Sequence, residues 1–95
     1  DRKYFEETVN KVIATRERTK QALKELGFEF ADSKTNFIFA KREGTNAKDL
    51  FEKLKEAGIF VRYFNKERLS EYLRISIGTD REMDAFIAFI KSYLS

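Results

Sequence analysis

Apolar residues recur every three or four positions in the first quarter of the chain, which predicts an amphipathic helix from about residue 1 to residue 26. Gly27 ends this helix, because glycine tolerates the left-handed conformation found just past a helix C-terminus. The opposite face is charged and includes Lys11 and Lys20. A helix this long often extends beyond the core of a small domain, so we expect the chain to be part of a longer protein. The predicted buried stripe consists of Phe5, Val9, Val12, Ile13, Ala22, Leu23 and Leu26.

Four short apolar or alternating runs follow and predict strands at residues 28–32, 36–41, 59–64 and 72–77. The run 36–41 is apolar at nearly every position, which favours a strand buried on both faces. Between the strands, Asn46 can cap a second helix that ends at Gly58. Thr79 and Glu82 have the spacing of a capping box and begin a third helix. The order α-β-β-α-β-β-α predicts one α+β domain over residues 1–95.

Strand alternation places two arginines on the same face of the predicted sheet. In the fourth strand the aliphatic residues share one face, so Arg74 faces the other way. In the third strand the same alternation groups Arg62 with Phe60 and Phe64. If the aliphatic faces pack on the helices, the opposite face is aromatic and carries both guanidinium groups. Its predicted members are Phe60, Arg62, Phe64, Tyr72 and Arg74, together with one face of residues 36–41.

Two interpretations of Arg62 and Arg74 follow from the residues alone. Both side chains can extend to solvent or pair with structural carboxylates such as Glu67 or Glu71. Alternatively, they bind an anionic ligand over an aromatic floor, because a planar guanidinium donates two parallel hydrogen bonds to a carboxylate or phosphate. An exposed aromatic sheet face of this kind usually marks an interface.

Composition excludes several kinds of chemistry. The 95 residues include no His and no Cys, so we expect no metal site, no disulfide framework and no Ser–His nucleophile. The net charge of +3 is mild, and we expect neither a nucleic acid nor a membrane as partner. No apolar run approaches the length of a membrane helix and no signal peptide opens the sequence, so the cytoplasm is the expected location. We identify no candidate catalytic residue.

Several motifs resemble one enzyme family in their order and spacing. Residues 73–79, LRISIGT, resemble the C-terminal carboxylate-binding motif of pyridoxal-phosphate aminotransferases of the aspartate aminotransferase fold type. The run 33–39, SKTNFIF, resembles the Ser-x-x-Asn-Phe strand of the histidinol-phosphate aminotransferase family. Residues 58–62, GIFVR, resemble that family's Gly-Ile-x-Val-Arg strand. The resemblance spans nearly all of the chain and extends to the long first helix.

The resemblance implies the small C-terminal domain of such an enzyme, with a mostly antiparallel sheet and helices packed on one face. The large domain, absent here, would bind pyridoxal phosphate, and the parent enzyme would be a homodimer. Arg74 would clamp the α-carboxylate of glutamate, and Arg62 would bind the phosphate of histidinol phosphate. The Asn36–Phe37 pair would be structural. The parent would transfer the amino group between glutamate and imidazole-acetol phosphate in histidine biosynthesis.

Further expectations concern the isolated chain and its alternatives. Without the large domain we expect this chain to be inactive, and its aromatic sheet face, which would pack on that domain, to promote self-association. One alternative is another aminotransferase of the same fold type. A second is a free-standing ferredoxin-like module that binds a ligand or RNA, although the sequence lacks the basic and aromatic run typical of single-strand RNA binders.

Overall fold

The computed structural model describes residues 2–31 and 35–95, with side chains from residue 6 onward. Its elements follow the predicted order α-β-β-α-β-β-α. They are α1 (Arg2–Glu25), β1 (Glu29–Phe30), β2 (Phe37–Lys41), α2 (Ala47–Glu56), β3 (Arg62–Tyr63), β4 (Leu73–Ser76) and α3 (Asp80–Leu94). Among the described residues, no helix has both the length and the apolar character needed to cross a bilayer.

The four strands form one antiparallel sheet in the order β1-β2-β4-β3. In the β2–β4 ladder Ile38 lies opposite Ile75, and Phe39 lies opposite Arg74. In the β3–β4 ladder Arg62 lies opposite Arg74. The α+β prediction and the antiparallel sheet are therefore both confirmed, and β4 occupies an interior position between β2 and β3.

All three helices contribute to a single core on one face of the sheet. Alternation along β2 and β4 directs the aliphatic side chains toward the helices. The fully buried members include Leu23 of α1, Leu54 of α2 and Phe86 of α3. The remaining buried apolar residues of this core are Phe28, Ile38, Ala40, Ala47, Leu50, Leu73, Ile75 and Ile90.

The helix boundaries follow the predicted local signals. Gly27 has a φ of 90°, and the amide of Phe28 donates to the carbonyl of Leu23 at 3.0 Å, which together form a Schellman ending for α1. The side chain of Asn46 accepts from the amide of Asp49 at 3.0 Å and caps α2. The predicted capping box at the start of α3 is also present.

Two expectations about the strands are wrong. β3 covers only Arg62–Tyr63, because the residues before it enter from the turn after α2 without pairing to β4. β2 is buried on one face only, with Phe37 41% exposed and Phe39 40% exposed. No described element of this chain covers the second face of β2, so its continuous apolar character has another cause.

The expectations for α1 are correct only in part. The helix projects as predicted, and its first described turns are exposed, including Val9 at 39% and Ile13 at 41%, which were expected in the core. Lys20, expected at the surface, is only 8% exposed. It lines the groove between α1 and β1, and its Nζ donates to the carboxylate of Glu17 at 3.2 Å, so the buried ammonium keeps a charged partner.

Candidate functional site

The sheet surface that faces away from the helices, here called the open face, carries a concentration of aromatic and cationic side chains. The alternation that buries the aliphatic residues of β2 and β4 directs these side chains to the other side. Its members on the three strands and their flanks are Phe37, Phe39, Lys41, Arg62, Phe64, Tyr72, Arg74 and Ser76. The predicted grouping of both arginines with Phe64 and Tyr72 is confirmed, whereas Phe60 lies before β3 and lines a depression with Ser76 and Met83.

Arg62 and Arg74 are direct cross-strand neighbours. They lie opposite each other in the β3–β4 register, where the Cβ atoms of such a pair are about 4.5–5.5 Å apart. Like charges in this position destabilise a sheet. Within residues 2–31 and 35–95 neither guanidinium forms an ion pair or a hydrogen bond. The site therefore concentrates positive charge without a counter-ion in the part of the chain that the structure describes.

The guanidinium of Arg74 lies between two aromatic rings. Its Cζ is 4.9 Å from the ring centroid of Phe37 and 6.0 Å from that of Phe64. Both distances are within the range of cation–π attraction. Phe64 is itself stacked on Phe39, with centroids 6.0 Å apart and ring planes at 20°. The arginine is thus held by rings, and not by carboxylates.

One nitrogen of Arg74 is closed off by this packing. Nε is buried and has no hydrogen-bond partner among the described residues. A buried donor without an acceptor is costly, and native structures retain few of them. The terminal nitrogens are neither bonded within the described part nor buried in this way. They are the donors available to an incoming anion, and a planar guanidinium can hold a carboxylate through two parallel bonds.

The structural interpretation of the two arginines holds only in part. Neither Glu67 nor Glu71 pairs with them among the described residues. Glu71 instead lines a charged depression of about 290 Å³ with Lys41 and Arg42. Arg62 is exposed, in agreement with extension to solvent, and Arg74 is half-buried. The anion-binding interpretation stays a prediction with which these contacts agree.

The ring partners of the cations could not be assigned from the sequence. Alternation placed part of residues 36–41 on this face, but it did not single out Phe37, which was expected to be only structural. It also gave no sign that the Nζ of Lys41 lies 5.4 Å from the ring centroid of Tyr72. The pairing of β2 with β4 would have identified these rings, because it brings the aromatic residues of β2 beside Arg74.

A second arginine site, between α1 and α3, has the opposite character. Arg18 donates to the carboxylates of Asp84 at 2.6 Å and Asp80 at 2.9 Å. The hydroxyl of Thr15 lies 2.6 Å from Asp80. These hydrogen bonds hold the pKa of the Asp80 carboxyl below its usual range, and the bond from Thr15 has a larger effect than the bond from Arg18. Hydrogen bonds to the same two carboxylates raise the pKa of Arg18, and the bond to Asp84 has the larger effect. This site has its own counter-ions and joins two helices.

Comparison with known proteins places this arrangement in a family. The family described as aminotransferase class I and II matches residues 1–90. The chain belongs to this family. The family resemblance of the strand motifs is thereby confirmed.

Individual aminotransferases of this family match nearly the whole chain. It is 56% identical over 91 residues to the histidinol-phosphate aminotransferase of Brachyspira hyodysenteriae, covering 96% of this chain and 26% of that protein. It is 51% identical over 94 residues to the histidinol-phosphate aminotransferase of Lactococcus lactis subsp. cremoris, covering 99% of this chain and 26% of that protein. The chain thus spans about a quarter of the length of these aminotransferases.

A solved aminotransferase shares the fold. The crystal structure of histidinol-phosphate aminotransferase from Sinorhizobium meliloti in complex with pyridoxal-5'-phosphate matches with a TM-score of 0.79 and 27% identity. The match covers 100% of this chain and 27% of that one. A putative aminotransferase from Burkholderia pseudomallei matches with a TM-score of 0.78 and 32% identity over 90% of this chain. The α+β arrangement is therefore that of a portion of known aminotransferases.

Proposed function

We propose that residues 1–95 form the substrate-binding small domain of a longer histidinol-phosphate aminotransferase. The parent protein would transfer an amino group between glutamate and imidazole-acetol phosphate, in histidine biosynthesis. Identities of 56% and 51% to enzymes of that name support this choice of substrate over other aminotransferases of the family. The chain alone would be inactive, because it corresponds to about a quarter of those enzymes.

One observation carries the proposal: Arg62 and Arg74 lie opposite each other on the open face without a counter-ion among the described residues. Both proposed substrates are anions, so the site has the charge that they require. Arg74 would clamp the α-carboxylate of glutamate through its terminal nitrogens. Arg62, exposed and one strand away, would bind the phosphate of histidinol phosphate.

The role of these arginines would be positioning. A carboxylate held by two bonds to Arg74 has lost most of its rotational freedom before reaction, which orients the substrate carbon relative to the cofactor. Neither arginine would transfer a proton, because a guanidinium stays protonated and charged throughout the working pH range. Catalytic proton transfer would belong to the remainder of the parent enzyme.

Pyridoxal phosphate would be bound outside this chain. The cofactor forms a Schiff base with a lysine in its enzymes and needs that lysine free of competing contacts. Among the described strand residues, Lys41 is the one lysine, and its Nζ lies over the ring of Tyr72. The open face therefore does not fit the cofactor, which the large domain would bind.

The same large domain would cover the open face. Phe37 and Phe39 are each about 40% exposed on the open face, and Phe60, before β3, is 75% exposed. Burial in the parent would explain why β2 is apolar on both faces although this chain covers only one. We further propose that the parent is a cytoplasmic homodimer and that the separate chain self-associates through this surface.

Half-reactions of the full-length parent enzyme test the proposal. We expect Arg74→Ala to slow the half-reaction with glutamate about a hundredfold, since a charge-assisted hydrogen bond contributes roughly 1.5–3 kcal/mol. Arg62→Ala should selectively weaken the reaction with histidinol phosphate. Cofactor absorbance reports both reactions, and Arg81→Ala, an exposed arginine on α3, is the control. Equal activity of Arg74→Ala and Arg81→Ala with glutamate would overturn the assignment of Arg74.

A further inference from the structure

We infer that Phe37 and Phe64 are positioning residues that hold the guanidinium of Arg74 with its terminal nitrogens directed at the ligand. This inference rests on the proposed function, in which Arg74 binds a carboxylate. It extends the site from two arginines to the aromatic residues that orient one of them. Neither phenylalanine would touch the reacting atoms.

The first argument is the placement of the rings. The Cζ of Arg74 is 4.9 Å from the centroid of Phe37 and 6.0 Å from that of Phe64. A long arginine stem normally samples many rotamers, and ordering it on ligand binding lowers affinity. Rings on two sides restrict the stem before the ligand arrives. Cation–π attraction, moreover, restricts it without neutralising the charge that the ligand needs.

The second argument is the buried Nε of Arg74, which has no hydrogen-bond partner among the described residues. Because that edge of the guanidinium is closed, a carboxylate can reach only the end that carries the two terminal nitrogens. The arrangement thus selects an end-on approach over a side-on approach. A carboxylate from the protein itself would also have fixed the arginine, but it would compete with the substrate.

The third argument is that the rings are themselves fixed. Phe37 belongs to β2, paired with Ser76 of β4 two positions beyond Arg74. Phe64 follows β3 directly and stacks on Phe39 with centroids 6.0 Å apart. Each ring is therefore anchored on one of the two strands that flank β4.

The test uses the full-length parent enzyme and the half-reaction with glutamate, followed by cofactor absorbance. Phe37→Leu keeps apolar bulk but removes the ring, whereas Phe37→Tyr keeps the ring. Phe64→Leu tests the second ring. The matched control is Phe89→Leu, on α3 and away from the open face, which has a ring neighbour in Tyr93 but no ring contact to Arg74. Each variant is measured alone, and Phe37→Leu also in combination with Arg74→Ala.

We expect Phe37→Leu to raise the dissociation constant for glutamate about three- to tenfold, the effect of losing one partly desolvated cation–π contact. Phe64→Leu should have a smaller effect in the same direction, and Phe37→Tyr and Phe89→Leu should bind glutamate as the wild type does. In the Arg74→Ala background, Phe37→Leu should cause no further loss, because its effect passes through the arginine.

Two results would overturn the inference: unchanged glutamate binding in Phe37→Leu, or an equal loss with and without Arg74. Both leave the proposed function intact if Arg74→Ala alone is impaired. If Arg74→Ala binds glutamate normally, the proposed function itself fails, so the two failures are distinguishable.

Discussion

Arg18 and Arg62 are both arginines at exposed positions, but they lie on opposite sides of the molecule and in opposite surroundings. Arg18, between α1 and α3, donates to two aspartates at 2.6 and 2.9 Å. Arg62, on the open face, lies opposite another arginine and has no partner among the described residues. The first arginine joins two helices of this chain. The second arginine makes no such link within the described part of the chain.

The phenylalanines repeat the same contrast. Phe86 on the helix side of the sheet is 1% exposed, whereas Phe60 beside the open face is 75% exposed. The core on the helix side buries its apolar groups, and Arg18 has charged partners there. Among the described residues, the open face leaves rings exposed and two arginines without an ion pair, which lowers the stability of the separate chain but suits the proposed binding of substrate and a second domain.

The largest predicted effect concerns the two phenylalanines. Phe86→Ala should lower the free energy of unfolding by about 3–5 kcal/mol, because it leaves a cavity in the core. Phe60→Ala should change it by less than about 0.5 kcal/mol, as exposed substitutions usually do. Urea denaturation of the two variants and the wild type measures both values. A loss from Phe60→Ala close to that from Phe86→Ala would mean that the open face is already covered in the separate chain.

A smaller, pH-dependent effect is expected at the paired site. Hydrogen bonds hold the pKa of Asp80 below its ordinary value of 3.8, so its contribution to stability is complete above that value. The contribution is lost as the pH falls through the lower pKa of the folded state. Asp80→Asn should therefore lower the thermal midpoint at pH 7, and the difference from the wild type should shrink as the pH falls below 3.8.

Thermal unfolding at a series of pH values from 7 to 2 measures this difference. Glu17 and Glu82 also have lowered pKa values, but they are unchanged between the two proteins and do not enter the comparison. A difference between Asp80→Asn and the wild type that is as large at pH 2 as at pH 7 would contradict the proposed charge interactions of Asp80.

Local signals in the sequence were sufficient for most of the fold. Gly27 and the Thr79–Glu82 box set helix ends through bonds within a few residues, so they could be read without tertiary information. Strand alternation likewise placed Arg62 and Arg74 on one face. The burial of Lys20 could not be predicted in this way, because it depends on the groove between α1 and β1.

The rest of the candidate site depends on contacts between distant strands. Phe37 and Arg74 are 37 positions apart in the sequence, and only the β2–β4 register brings the ring beside the guanidinium. The apolar pattern of β2 predicted two buried faces, but only one of them is covered by the described residues. An apolar pattern indicates that a strand face requires burial, but it does not indicate which part of a protein covers that face.

The most direct measurement compares Arg62→Gln with Arg18→Gln in the separate chain at low ionic strength, where surface charges are least screened. Arg62→Gln should raise the free energy of unfolding by about 0.2–1 kcal/mol, because it removes a like-charge cross-strand pair. Arg18→Gln should lower the free energy of unfolding, because it removes two charged hydrogen bonds. Changes of opposite sign would support an open face whose arginines are kept for a ligand. A loss of stability in both variants would contradict it, because Arg62 would then have a structural partner in this chain.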